Sequence, residues 1–290
     1  MTQRRVAAAL AILLAAAAGL SLLHVLAARP EPVIRAQSRQ LGVLPALSKL
    51  SAAQLAALPE ARYDAVIAAL LPAAGAADAD TAYRLKKDTV LYAADRATPI
   101  ARLAARDFLG EPSIVVPVES SGDWLRVLTP ARQRLPSTGA NSAGTNSLGA
   151  LAPAQTSAWL RADSLSSPTM LVSRIIVSVS AQTLRIIGVG SRTWPVGVGA
   201  PGTPTPVGVS GYLQARYRDA AQGQAEHPIQ LTSLHSTAAD EPFGGNDGGL
   251  IGIHFQASAS GARSHGCIRV PLEALAAVDA LPLGTLITIE

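Results

Sequence analysis

The sequence predicts a mainly β chain with few helices, carried behind an N-terminal membrane helix. Three observations lead there. From about Tyr83 onward, short runs rich in β-branched and aromatic residues recur between clusters of Gly, Ser, Asp and Pro. Helical periodicity is confined to brief stretches outside those runs. Ahead of everything stands Val6–Ala28, a nearly continuous apolar run of 23 residues.

That run is long enough to span a bilayer. Arg4 and Arg5 precede it, and positive charge there keeps the N-terminus inside and sends the remainder out. Residues 1–28 are therefore expected to be a membrane anchor, or a signal peptide cut near Val25-Leu26-Ala27. Both readings make the location extracytoplasmic. Residues 29–80 read as a helical spacer. Tyr63, Val66, Ile67, Leu70 and Leu71 fall at i, i+3, i+4, i+7 and i+8, one apolar stripe that Pro72 ends. Leu55 and Leu58 suggest a shorter helix before Pro59.

Residues 81–167 change to β patterning, with strand candidates at 88–92, 113–116, 124–127 and 158–161 and a turn at 119–123. Residues 130–156, rich in Ser, Gly, Asn, Ala and Pro, are expected to be an inserted flexible loop. Residues 168–290 form the last domain. Ile175, Val177 and Val179 alternate onto one face of a half-buried strand. Ala181-Gln182 and Gly190-Ser191 turn the chain into two more strands, completing a meander. The prolines of Thr203-Pro204-Thr205-Pro206-Val207-Gly208 stiffen the next turn, which is expected to line one side of a cleft. Residues 212–240 show no clear period. Pro271 then opens a helix through about Ala280, and residues 285–289 close the sheet.

The net charge of +4 excludes little by itself, but two of those charges precede the apolar run and the rest are scattered. No basic face for nucleic acid results. The glycine-rich stretch 244–249 lacks the lysine and helix start of a phosphate loop. His227, His235, His254 and His265 lack the paired spacing of a metal site, so no cofactor is called for.

Cys267 is the only cysteine, which rules out an intrachain disulfide. A free cysteine titrates near about 8.5 and reacts as thiolate, so it needs a base or cation nearby. His265 lies two residues before it and His254 thirteen. Gly266 has no side chain to obstruct an approaching carbonyl, and the N–H groups of Gly266 and Cys267 can face a developing oxyanion.

Gly252-Ile253-His254, followed by Ser264-His265-Gly266-Cys267-Ile268-Arg269, resembles the L,D-transpeptidase family with a YkuD-type catalytic domain. Residues 122–127 and 158–161 are similar to bacterial Src-homology-3-like small barrels, which gives Trp124 and Trp159 either a core role or a wall-binding one. The resemblance implies a β-rich catalytic domain with residues 212–240 as a covering lid. Cys267 would be the nucleophile and His254 the general base that holds it as thiolate. The carbonyl of Phe255 would orient the other ring nitrogen of His254. His265 and the N–H groups of Gly266 and Cys267 would face the oxyanion. Arg269, Phe255 and Ser264 would stand on the substrate side, with Arg269 gripping either a substrate carboxylate or a structural acid and Ser264 fixing the turn. Two departures bear on the acceptor side: the His254 to Cys267 interval is short, and Phe255 replaces a usually small residue.

The resemblance further implies a peptidoglycan tetrapeptide stem as acyl donor, cut before its terminal D-alanine, and an amine of another stem as acceptor. It implies acylation by carbapenem-type β-lactams as well, and no cofactor. Membrane contact would run through the N-terminal segment. Two alternatives keep the same residues: an L,D-carboxypeptidase, in which water replaces the amine, and a non-catalytic wall-binding adaptor.

Overall fold

The computed structural model describes residues 49–73, 77–137, 152–188, 190–238 and 249–290. The expected N-terminal membrane helix lies outside the described residues, as do most of the expected insert and of the glycine-rich stretch. No helix among the described residues is long and apolar enough to cross a membrane.

In chain order the strands are β1 (Leu71–Pro72), β2 (Thr81–Arg84), β3 (Thr89–Tyr92), β4 (Pro99–Leu103), β5 (Ile114–Val115) and β6 (Pro117–Ser121). There follow β7 (Trp124–Thr129), β8 (Thr156–Arg161), β9 (Thr169–Met170), β10 (Ser173–Ser178), β11 (Thr183–Gly188) and β12 (Arg192–Pro195). The last five are β13 (Val209–Asp219), β14 (Gln224–His235), β15 (Leu250–Phe255), β16 (Ile268–Val270) and β17 (Leu286–Ile289). An N-terminal lobe holds the sheet β4-β3-β8-β7-β6, with β1 added on β8, and a small sheet β5-β2-β9. A C-terminal lobe holds one sheet ordered β12-β11-β10-β17-β13-β14-β15-β16. The chain is mainly β, as its sequence predicts.

The expected meander forms as β10-β11-β12, in antiparallel register with Ile175 opposite Ile186 and Leu184 opposite Trp194. Ile175 and Val177 of β10 enter the core while Arg174 and Ile176 stay partly exposed, the alternation that a one-sided strand requires. The helix Leu272–Asp279 packs Ala274, Leu275 and Val278 onto that core. Each such large apolar side chain contributes about 1.5–3 kcal/mol on burial.

Three expectations are corrected. The helical spacer is only partly helical. A five-residue helix forms at Ala52–Ala56, started by a reciprocal Ser51–Gln54 capping box, but the stripe from Tyr63 to Leu71 is not helical. Pro59 and Pro72 leave only a short window, too short for a helix to persist without strong tertiary help. The lobe instead takes up its backbone groups: Ile67 N–H donates to the Arg132 carbonyl at 2.8 Å, and the Gln133 amide reaches the Leu70 carbonyl at 2.6 Å. Ile67 and Leu70 are buried while Val66 is 48% exposed, so the stripe does not share a face. Secondly, the ends of the expected insert 130–156 are not surface loop. Ala131, Arg132, Gln155 and Thr156 are buried, and Gln155 Nε2 donates to the Thr129 carbonyl at 2.8 Å.

Thirdly, the described part of residues 212–240 is not a loop, although Tyr217, Asp219 and Gln222 at its tip do line the cleft at Cys267. It supplies most of the long hairpin β13–β14 at the centre of the larger sheet. Its polar residues satisfy one another and their neighbours: Gln230 bonds both Arg216 and Asp279, and the Thr232 hydroxyl donates to the Ile251 carbonyl at 2.6 Å. Buried polar pairs of this kind erase the alternation of apolar and polar residues that marks a strand.

Residues 48–290 form one unit, and its two lobes meet through a buried seam. Ala82, Val116, Leu128 and Leu171 of the first lobe pack with Tyr212 and Leu286 of the second. Ser233 Oγ donates to Gln155 Oε1 at 2.6 Å, and His235, 1% exposed, places Nε2 at 2.8 Å from the Pro130 carbonyl. Burial, reinforced by the Arg132 charge, pushes the His235 pKa down to about 3. The unfolded chain then binds one proton more between about pH 6.5 and that value. His235 therefore contributes stability that is full above pH 6.5 and lost as pH falls toward 3, at up to about 1.4 kcal/mol per pH unit. Melting temperatures measured from pH 7 to pH 4.5 should fall more steeply for the wild type than for His235→Gln; parallel curves would refute the assignment.

Candidate active site

The site is built on the parallel pair β15–β16, where Ile253 stands opposite Ile268, His254 opposite Arg269 and Phe255 opposite Val270. Side chains alternate along each strand. Ile251 and Ile253 of β15, with Ile268 and Val270 of β16, go into the core. Gly252 and His254 therefore share the other face with Arg269, and Cys267, one step before β16, joins them. The Cys267 sulfur accepts the Gly252 N–H at 3.4 Å and lies 3.8 Å from the Leu250 carbonyl, toward which its S–H donates. A Cβ on Gly252 would stand 3.1 Å from Ile229 Cγ2 and 4.0 Å from the sulfur, so glycine there keeps room beside the thiol.

The turn before Cys267 is held from behind. Ser264 is fully buried, its hydroxyl accepting the Gly199 N–H at 2.8 Å and its carbonyl accepting the Ala200 N–H at 2.9 Å. That corrects its expected place on the substrate side: Ser264 pins the turn, and no substrate reaches it. Gly266 has φ +101°, and a Cβ would stand 2.9 Å from Ile251 Cδ1, so both conformation and space demand glycine. Its carbonyl accepts the buried Thr205 hydroxyl at 2.8 Å. The peptide unit is planar and trans, so fixing that carbonyl also fixes the Cys267 N–H in the opposite direction. The stiff turn at Thr203–Gly208 thus props the loop that carries Cys267 instead of lining the cleft beside it. His265 is exposed, unlike its buried neighbours Ser264 and Gly266.

His254 Nδ1 lies 3.2 Å from the Phe255 carbonyl, the orienting contact that the sequence leads one to expect. Donation from Nδ1–H leaves Nε2 as the basic nitrogen. Gln224 completes the arrangement: its amide donates to the same carbonyl at 3.1 Å and lies 3.4 Å from Nδ1. Nothing in the sequence marked Gln224, which falls in the stretch without visible period. The Phe255 ring packs on the core and meets His227 edge-on at 4.8 Å, so its carbonyl, not its ring, serves the site. Arg269 forms no ion pair among the described residues.

Burial raises the Cys267 pKa, opposed by the Gly252 N–H and the Arg269 charge. Burial lowers the His254 pKa, opposed by the Phe255 carbonyl and assisted by Arg269. Both shifts favour uncharged forms at neutral pH. Those directions run against a standing thiolate and favour a thiol at Cys267 and a neutral imidazole at His254.

A cleft of about 660 Å³ opens at the sulfur. Ile229, Leu231, Gly252 and Cys267 line it from the C-terminal lobe, and Tyr63, Phe108 and Arg132 from the other.

Residues 173–289 match the family model of YkuD, the L,D-transpeptidase catalytic domain. No curated protein matches the chain. Among solved structures, an L,D-transpeptidase from Mycobacterium tuberculosis H37Rv is similar at 14% identity, over 78% of this chain and 98% of its own, with a TM-score of 0.34. L,D-transpeptidase 3 from Mycobacterium tuberculosis, in complex with a faropenem-derived adduct, is similar at 14% identity over the same shares, with a TM-score of 0.33. An L,D-transpeptidase from Mycobacterium smegmatis is similar at 15% identity, over 58% of this chain and 90% of its own, with a TM-score of 0.30.

Proposed function

We propose that the chain is an exported cysteine L,D-transpeptidase that cross-links peptidoglycan. The observation that carries the reading is the placement of His254, Cys267 and Arg269 on one face of β15–β16, with Cys267 opening onto a cleft, inside the segment that matches the catalytic-domain model. The sulfur attacks the carbonyl that precedes the terminal D-alanine of a tetrapeptide stem, and His254 Nε2 takes the thiol proton. N–H groups at Gly266 and Cys267 hold the oxyanion; in other enzymes the loss of one such donor costs about 3–4 kcal/mol. Collapse breaks the C–N bond, and the departing amine carries away the proton from His254. An amine of a second stem then attacks the thioester, giving its proton to His254, and the sulfur leaves as thiol.

Arg269, with no acid beside it among the described residues, grips a carboxylate of the stem. The apolar N-terminal run anchors the protein, or is cleaved, so that the domain meets its substrate outside the membrane. The N-terminal lobe is read as Src-homology-3-like. β-Lactams of the carbapenem type acylate Cys267 in place of the stem.

Incubation with purified disaccharide-tetrapeptide, followed by mass spectrometry, tests the proposal. Cross-linked dimer with released D-alanine is the expected result. Tripeptide alone would mean an L,D-carboxypeptidase, and no reaction with no adduct would leave a non-catalytic wall-binding adaptor.

A further inference from the structure

We propose that the N-terminal lobe builds the acyl-donor side of the active site, with Tyr63 and Phe108 as specificity residues that select an extended peptide stem. This rests on the transpeptidase reading and adds to it where each part of the substrate lies.

The cleft has a floor from one lobe and a wall from the other. The Tyr63 and Phe108 rings lie 4.6 Å apart at 54°, and Phe108 meets Tyr217 of β13 edge-on at 6.3 Å and 79°. This run of three rings bridges the lobes beside the nucleophile, and aromatic pairs at such spacings attract beyond their buried area. Tyr63, Phe108 and Tyr217 line the same cleft as Cys267, so the rings face the space into which the sulfur opens. The seam of Ala82, Val116 and Leu128 against Tyr212 and Leu286 fixes the lobes, so the wall is in place before substrate arrives.

The position of the base decides which part of the substrate enters. His254 does not line the cleft, whereas Cys267 does. The amine that leaves and the amine that arrives must both exchange protons with His254, so they approach from its side of the sulfur. The acyl chain, bonded to the same sulfur, extends the other way, into the cleft. About 660 Å³ with an apolar floor is within the range of sites that enclose a short peptide. A small β-lactam needs only the neighbourhood of the sulfur, whereas an extended stem must pass the Tyr63–Phe108 wall.

The test compares acylation of the full chain by disaccharide-tetrapeptide and by faropenem, reading adduct mass and rate for the wild type, Phe108→Ala, Phe108→Leu and Tyr63→Ala. The expected result is that acylation by the stem falls about tenfold or more relative to acylation by faropenem, mainly through weaker binding. Equal losses for both donors, or no loss for either, would overturn the assignment. Should Phe108→Ala fail to fold, the milder Phe108→Leu and the partly exposed Tyr63→Ala decide. A wild type acylated by faropenem but never by the stem would overturn the donor cleft alone. A wild type acylated by neither would remove the transpeptidase reading itself, and this assignment with it.

Discussion

Cys267→Ala is expected to leave no acyl adduct with any donor and to reduce turnover by more than about 10⁴-fold. Where a nucleophile works as one unit with its base, its removal has cost on the order of 10⁶-fold in a serine enzyme, because what remains is only binding and oxyanion stabilisation. The same limit applies here, since the oxyanion donors are backbone N–H groups that the substitution leaves in place. Folding should survive. Cys267 as a residue is only partly buried, and its sulfur contacts the Gly252 N–H and the Leu250 carbonyl at long range, so its loss costs about 1 kcal/mol. A melting temperature lowered by a few degrees, with no adduct by intact-protein mass spectrometry, is the predicted pair of results. An adduct that persists on the alanine variant would place the nucleophile elsewhere. The nearest hydroxyl in sequence, Ser264, is a poor rival because it is fully buried with its oxygen bonded to the Gly199 N–H.

The site was legible because its chemistry is concentrated in adjacent residues: a single cysteine flanked by glycine and histidine, with a second histidine after an apolar run. The meander and the closing helix and strand were legible for a similar reason, since Ile175, Val177 and Leu184 alternate in a way that only a one-sided strand explains. Less was readable where polar residues are buried. Gln230, Thr232 and Ser233 sit inside strands, paired across the sheet or against the first lobe, and Gln214 is buried beside them, so the hairpin β13–β14 looked like a loop. Gln224 was lost in that stretch although it lies against His254. The spacer failed for the opposite reason. An apolar pattern at helical spacing was present, but long-range bonds to Arg132 and Gln133 hold the backbone in a succession of turns. The aromatic wall of the cleft could not have been read at all, because Tyr63 and Phe108 meet only in the folded first lobe and Tyr217 joins them only where the lobes dock.

His254→Ala should slow acylation by about 10²–10⁴-fold, the usual contribution of a positioned general base. Its pH dependence carries more information than its size. With the His254 pKa lowered from about 6.5, the imidazole stays neutral and basic through the neutral range, and wild-type acylation is lost only as pH falls below that ordinary value. With the Cys267 pKa raised from about 9, the thiol keeps its proton until alkaline pH, so the rate should hold level between pH 7 and pH 9. A resting thiolate–imidazolium pair would behave differently: its imidazolium would deprotonate within that interval, and the rate would fall with it. The ultraviolet absorbance of a thiolate should accordingly be absent from the wild type at pH 7 and appear only on strong alkalinisation. In His254→Ala the residual rate should rise with pH as the thiol ionises unaided, so the two proteins converge toward alkaline pH. A variant that stays slow by the same factor at every pH would mean that His254 supports the turn around Cys267 and does not move its proton.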